Sequence, residues 1–321
     1  MPDLRVKLGD LTLKNPLILA SGPCGRTALG LAKYIELGFA AVITKTITPE
    51  PVAGNPAPRD VVYDKELLWE ASGTPNMGYK AMLEEIKKAK DMIKDSGYIA
   101  VNLTAEDPED FARMAAGFEK AGADAIEVAI FGCPNYKPGT KITEAYWEQT
   151  PERIKRVVAG IKKEIKIPVW MKLLRSGIER IKAAEEAGAD IIHKFHIIRT
   201  VPIDLDTGKP IMGNPMKSAS CCGPFRRFEG IKDVMDIARA VRIPVVGGGG
   251  VWTGKDVIEY TYAGASAVQA LTSIMMAGPN KVKRILRELE AFMDEKGLNS
   301  LDEIRGKTLK YLPDRYYLPA V

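Results

Sequence analysis

Long apolar runs are missing from this chain of 321 residues. Although 46% of it is hydrophobic, no stretch approaches the length of a membrane span. The opening Met1-Pro2-Asp3-Leu4-Arg5 also lacks a basic segment followed by an apolar one. A membrane protein and a secreted precursor are therefore not expected, and the reading is cytoplasmic. Cysteine is scarce: Cys24, Cys133, Cys221 and Cys222 show no paired zinc spacing, and an adjacent pair is a poor disulfide framework. Reduced thiols and no metal site are expected. Histidine is rarer still, and His193 and His196, three apart in a predicted strand, fall on opposite faces. Only two glutamines occur, Gln149 and Gln269, beside abundant Lys, Arg and Glu, which is compatible with a thermophilic source. Charge of one sign is not in large excess. The 46 basic and 41 acidic residues leave +5, spread over mixed-sign helical segments with no aromatic-interleaved basic stripe, which argues against a nucleic-acid partner.

What is present is repetition. Four times a helix-like segment ends at glycine and a buried strand follows: at Gly38 before Ala41, at Gly122 before Ala125, at Gly188 before Ile191 and at Gly264 before Ala267. Interleaved with these, Ile167-Pro168-Val169 and Ile243-Pro244-Val245 place proline at a strand's first residue, where a missing donor costs least. Core strands are expected near 16–21, 41–47, 98–104, 125–132, 168–173, 189–196, 244–249 and 267–272. Eight β/α units predict one α/β domain over residues 1–321, a TIM (β/α)8 barrel preceded by a β-hairpin around Gly9-Asp10. An open doubly wound sheet would leave two edges and lacks a GxGxxG after the first strand. Long excursions follow strands two (48–77), four (133–150) and six (197–225), all on the C-terminal face where barrel sites form.

Three features there carry chemistry. The run Glu127-Val128-Ala129-Ile130 reads as a buried strand that ends at Cys133-Pro134-Asn135, leaving a thiol at its exit. Such a thiol is as readily a small packed hydrophobe as a base. Gly247 to Gly250 end strand seven and Leu271-Thr272-Ser273 follow strand eight, a combination that lets backbone amides approach a phosphate. Lys45 and Lys172 stand in otherwise apolar strands, and a lysine near a barrel interior must pair or meet an anion. A phosphorylated cofactor with a second electron-rich end, such as a flavin, would satisfy both.

With these residues in place the chain resembles the flavin-dependent dihydroorotate dehydrogenases, especially the soluble class 1 enzymes and the related domain of dihydropyrimidine dehydrogenase. Matching segments include Asn15-Pro16, Ala20-Ser21-Gly22, Lys45-Thr46, Gly54 to Arg59 and Gly73 to Gly78. Asn102, Cys133-Pro134-Asn135, Lys172, Ile203-Asp204-Leu205, Gly223-Pro224 and Gly249-Gly250 continue them. The resemblance implies FMN at the barrel mouth. Ala20, Ser21, Gly22, Lys45, Thr46, Asn102 and Lys172 would line the ring and ribityl chain, and Gly223, Gly249, Gly250, Thr272 and Ser273 would hold the phosphate end. Leu271 stands where the family usually has glycine. Cys133 matches the family's catalytic base, with Tyr136 to Thr150 as a lid. Lys45, Glu70, Gly73, Thr74, Asn135 and His196 would meet a small cyclic substrate, dihydroorotate or dihydropyrimidine-like. The family also implies a homodimer.

Class 1 enzymes hold the pyrimidine with several asparagines, and this chain keeps only Asn135. Glu70, Ile130 and His196 occupy the other positions, and a changed substrate preference is expected because Ile offers no hydrogen bond and ionised Glu no donor. No iron–sulfur motif is present, so electrons would leave to a soluble acceptor or a separate partner subunit. The alternatives are a barrel of this family with a non-pyrimidine substrate, a non-redox barrel binding a phosphorylated metabolite, or a catalytically silent assembly role.

Overall fold

In the computed structural model, which describes residues 2–130, 150–174, 177–195 and 198–313, eight parallel strands close into a barrel, in agreement with the TIM-barrel expectation. They are Leu17–Leu19 (β1), Ala41–Ile43 (β2), Tyr98–Leu103 (β3), Ala125–Ala129 (β4), Val169–Leu174 (β5), Ile191–Phe195 (β6), Val245–Gly248 (β7) and Ala267–Ala270 (β8). Seven lie inside their expected ranges, and β5 runs one residue past its own, to Leu174. Closure comes from β8 pairing with β1, with Val268 opposite Leu17 and Ala270 opposite Leu19. The hairpin Val6–Leu8 with Leu11–Leu13 forms a separate antiparallel sheet, as expected from Gly9-Asp10.

Amphipathic helices close the outside. The helix Gly78–Ile93, for example, buries Met82, Ile86, Ala89 and Ile93, a spacing of four, three and four that draws one stripe against the sheet. Outward-facing strand residues such as Val128, Leu173 and Val268 join those stripes in one continuous apolar cluster.

At the N-terminal end the repeats explain themselves. Asp190 accepts the Val169 N–H at 2.7 Å and an ammonium from Lys162 at 2.9 Å. Asp124 repeats this with Ile99 N–H at 2.7 Å and Lys90 at 2.8 Å. One helix back, Glu119 accepts the N–H groups of Lys166 and Ile167, and Glu185 those of Arg242 and Ile243. Each Gly-Ala-Asp turn therefore bonds the start of the neighbouring strand, closing amides that would otherwise be buried unpaired.

The excursions hold one arrangement that the sequence reading missed. Asp60–Val62 and Leu68–Glu70 from the second excursion join Arg199–Thr200 and Ala219–Cys222 from the sixth in a four-stranded antiparallel sheet over the barrel mouth. The cross-over register pairs Ser220 with Glu70 and Cys221 with Trp69. The fourth excursion, apart from Thr150, lies outside the described residues. Among the described residues no helix is long and apolar enough to cross a membrane.

Candidate active site

Alternation along the strands decides which side chains enter the barrel. On β4, Glu127 points inward, and so does Ala129. Val128 and Ile130 point outward into the apolar cluster. Ile130, one residue past the strand, is buried in the apolar cluster, and the inward position at the end of this strand is Ala129. On β6, His193 and Phe195 point inward, while Lys194 turns out to Asp233 of the helix Arg226–Ala240 at 2.8 Å.

The inward groups form a polar cluster at the barrel axis. Glu127 is fully buried, and its Oε1 accepts from Asn102 Nδ2 at 2.5 Å and from Lys172 Nζ at 3.4 Å. Its Oε2 accepts from Gln269 Nε2 at 2.7 Å, on β8, four strands away around the ring. Lys172, 8% exposed, lies 5.2 Å from the Phe195 ring centroid. The expectation that an interior lysine must pair is met by Glu127. His193 lies beneath, its Nδ1 2.9 Å from the Val246 carbonyl oxygen. Burial, and next the Lys172 ammonium, hold that imidazole down at about 4, so it is neutral. His193 is thus an interior structural residue. Glu127 and Gln269 escaped the sequence reading, though a carboxylate inside an apolar strand and one of only two glutamines were visible signals.

The other expected residues gather around the same mouth. Ser21 Oγ and Thr46 Oγ1 are 3.3 Å apart, joining the ends of β1 and β2. Ala20 continues β1 by donating to the Ala270 carbonyl at 3.0 Å. Lys45 is half-buried, and with Arg59 it opposes the upward push on the Asp60 carboxyl, which desolvation and Glu70 drive above its ordinary range. Glu70 is half-buried and turned back on its own loop, its Oε1 accepting from Ser72 N at 2.9 Å and from the Ser72 hydroxyl. Gly73 and Thr74 are both left-handed, with φ of 69° and 55°, and a Cβ at Gly73 would run into Asn55. A threonine held there stores strain where a loop meets a site. Cys133, Asn135 and His196 lie outside the described residues.

Where the sequence reading expects a phosphate, Gly249 and Gly250 are left-handed, and a Cβ on Gly250 would meet the Pro224 carbonyl oxygen and the Arg227 amide. Gly223 instead abuts Leu67 and the Glu66 carbonyl oxygen, so its lack of a side chain serves contact with the 60–70 hairpin. Thr272 and Ser273 open a short helix after β8. Leu271 is accommodated because Gly22 has no Cβ, which would otherwise strike the leucine's Cδ2.

These residues fit FMN. Asn102 Oδ1 and Ser273 Oγ are fully buried and have no hydrogen-bond partner among the described residues, one in the polar cluster on β3 and one at the start of the short helix after β8. Buried polar atoms are rarely left so, and a ligand with polar edges at both places would satisfy them. The glycine cradle and the Lys172 ammonium supply the matching backbone approach and charge.

Comparison with known proteins agrees with this geometry. A family model described as dihydroorotate dehydrogenase matches residues 3–293. The catalytic subunit of dihydroorotate dehydrogenase B (NAD(+)) from Methanothermobacter thermautotrophicus is 34% identical over 307 residues, covering 94% of this chain and 97% of the relative. The corresponding subunits from Pyrococcus furiosus and Methanocaldococcus jannaschii are 33% and 35% identical, covering 96% and 94% of this chain and 99% and 97% of theirs.

Proposed function

Because the chain belongs to the dihydroorotate dehydrogenase family, and so is an oxidoreductase acting on a CH–CH bond, we propose that it oxidises a dihydropyrimidine with FMN, dihydroorotate being the first substrate to test. The observation that supports this best is the mouth itself, where the Lys172 ammonium and the unpartnered Asn102 Oδ1 stand opposite a glycine cradle. The residues around the mouth would hold FMN, which would supply the hydride acceptor for one carbon of the substrate. Cys133 takes the proton from the adjacent carbon, and the two losses leave a C=C bond. A thiol with an ordinary value of about 8.5 is a usable base near neutrality. Lys45 and Lys172 supply positive charge, and Asn135 hydrogen-bonds the substrate ring together with Thr74, Glu70 and His196.

Electrons pass on to a separate subunit, a role supported by the relatives being catalytic subunits of enzymes named for NAD(+). The same reading carries a homodimer, a cytoplasmic location and one catalytic domain over residues 1–321. Membership of the family favours this over a non-redox phosphometabolite barrel. With Ile130 turned out of the site, Glu70 is the described departure that bears on substrate choice. Anaerobic titration with dihydroorotate, dihydrouracil and dihydrothymine tests the reading. Bleaching of the flavin by dihydroorotate supports it. Bleaching by an uncharged dihydropyrimidine alone moves the substrate away from the carboxylate, and bleaching by none of them sinks it.

A further inference from the structure

A carboxylate at the axis of a barrel needs a reason. Barrel interiors are filled mainly with branched apolar side chains, and replacing a buried ion pair with such residues commonly leaves a protein as stable or more so. Here Glu127 is held with no solvent exposure by groups from three other strands: Asn102 on β3, Lys172 on β5 and Gln269 across the ring on β8. The donors come from residues up to 142 apart in sequence. Of the four, Lys172 is the most exposed, at 8%, and its ammonium is steered on a second side by Phe195.

We propose that Glu127 is a positioning residue that acts through Lys172: its carboxylate fixes the place of the ammonium and cancels part of its charge, and so limits how strongly the site favours reduced over oxidised flavin. The proposal rests on the functional reading above, in which Lys172 meets the flavin. Reduction places negative charge on the ring, which a nearby cation stabilises. A neutral Glu127–Lys172 pair stabilises that charge less than a lone ammonium does. The carboxylate therefore keeps the flavin a better donor to the next carrier than the lysine alone would allow.

The geometry supplies its own test. Gln269 Oε1 has no partner among the described residues, so this amide can rotate to accept from the new amide of Glu127→Gln while Asn102 keeps its place. Glu127→Gln thus removes the charge and keeps the shape. Glu127→Asp keeps the charge and shortens the reach. The measurement is the flavin midpoint potential, read as the ratio of oxidised to reduced FMN dissociation constants. Glu127→Gln is expected to shift this ratio toward the reduced form by about tenfold or more, the scale of one unit charge near a partly screened site. Glu127→Asp is expected to stay near the wild type even if both forms bind more weakly.

A merely structural role reverses that order, because Asp disturbs the packing more than Gln does. An unchanged ratio in Glu127→Gln, or an equal shift in both variants, overturns the proposal. Should neither variant fold, Gln269→Leu strips a donor from the carboxylate while keeping the pair, so the ratio is expected to move toward the oxidised form. No movement, or the opposite one, overturns the proposal. A wild-type chain that takes up no FMN overturns the functional reading and this inference together, whereas a flavin-loaded wild type with an unresponsive Glu127→Gln overturns this inference alone.

Discussion

The two ends of the barrel treat polar groups differently. At the N-terminal end Asp124, Asp190, Glu119 and Glu185 accept the first N–H groups of neighbouring strands, and the aspartates also receive a helix lysine. At the C-terminal end Asn102 Oδ1, Thr104 Oγ1 and Ser273 Oγ are buried with no partner among the described residues, and Thr74 sits in a left-handed conformation. One end is closed by the protein's own bonds, and the other carries buried polar atoms with no partner among the described residues. The first end determines whether the chain folds. The second determines what it does.

The largest effect expected from breaking this comparison is chemical. Cys133→Ser should lower turnover about 10²- to 10⁴-fold, the usual worth of a positioned base, with unfolding and flavin spectrum unchanged. Steady-state kinetics beside a denaturation curve check it. Between the two ends lies His193, whose folded-state value of about 4 contrasts with about 6.5 in an unfolded chain. Its contribution to stability is complete above pH 6.5. As the pH falls from there to 4 the unfolded state takes up a proton that the folded state refuses, and about 3 kcal/mol is lost. Urea midpoints measured across that window should show the slope, and His193→Asn should flatten it.

At the closed end Asp190→Ala leaves the Val169 amide unpaired and should cost about 2 kcal/mol of stability while the remaining folded protein binds FMN as before. The smallest effect belongs to Glu185→Gln, which keeps an acceptor for Arg242 and Ile243 and should cost less than about 1 kcal/mol. A loss of FMN affinity in either variant, with the fold intact, would blur the division between the two ends.

Much of the closed end was legible in the sequence because it is local and repeated. The helix-ending glycines and the Ile-Pro-Val starts recur at fixed places, and the six strands they announce begin directly behind them. The open end was legible only in part. Lys172 and Gly249-Gly250 stood out as residue types that their strands did not need, and Asn102 entered only through the family resemblance. Which face each residue at the end of β4 takes depends on a register set by pairing with β5, and a one-residue difference moves a side chain to the other face. Glu127 and Gln269 meet across the barrel, and the sheet joining Leu68–Glu70 to Ala219–Cys222 spans about 150 residues of chain. Contacts at such separation leave no periodic trace in the sequence.

The most direct measurement is a titration of flavin-stripped protein with FMN, followed by the change in flavin absorbance. The division between the two ends predicts saturable uptake of one FMN per chain, weakened when Asn102 is replaced by Ala and unaffected by Glu185→Gln. A folded protein that stays colourless and takes up no FMN would contradict it.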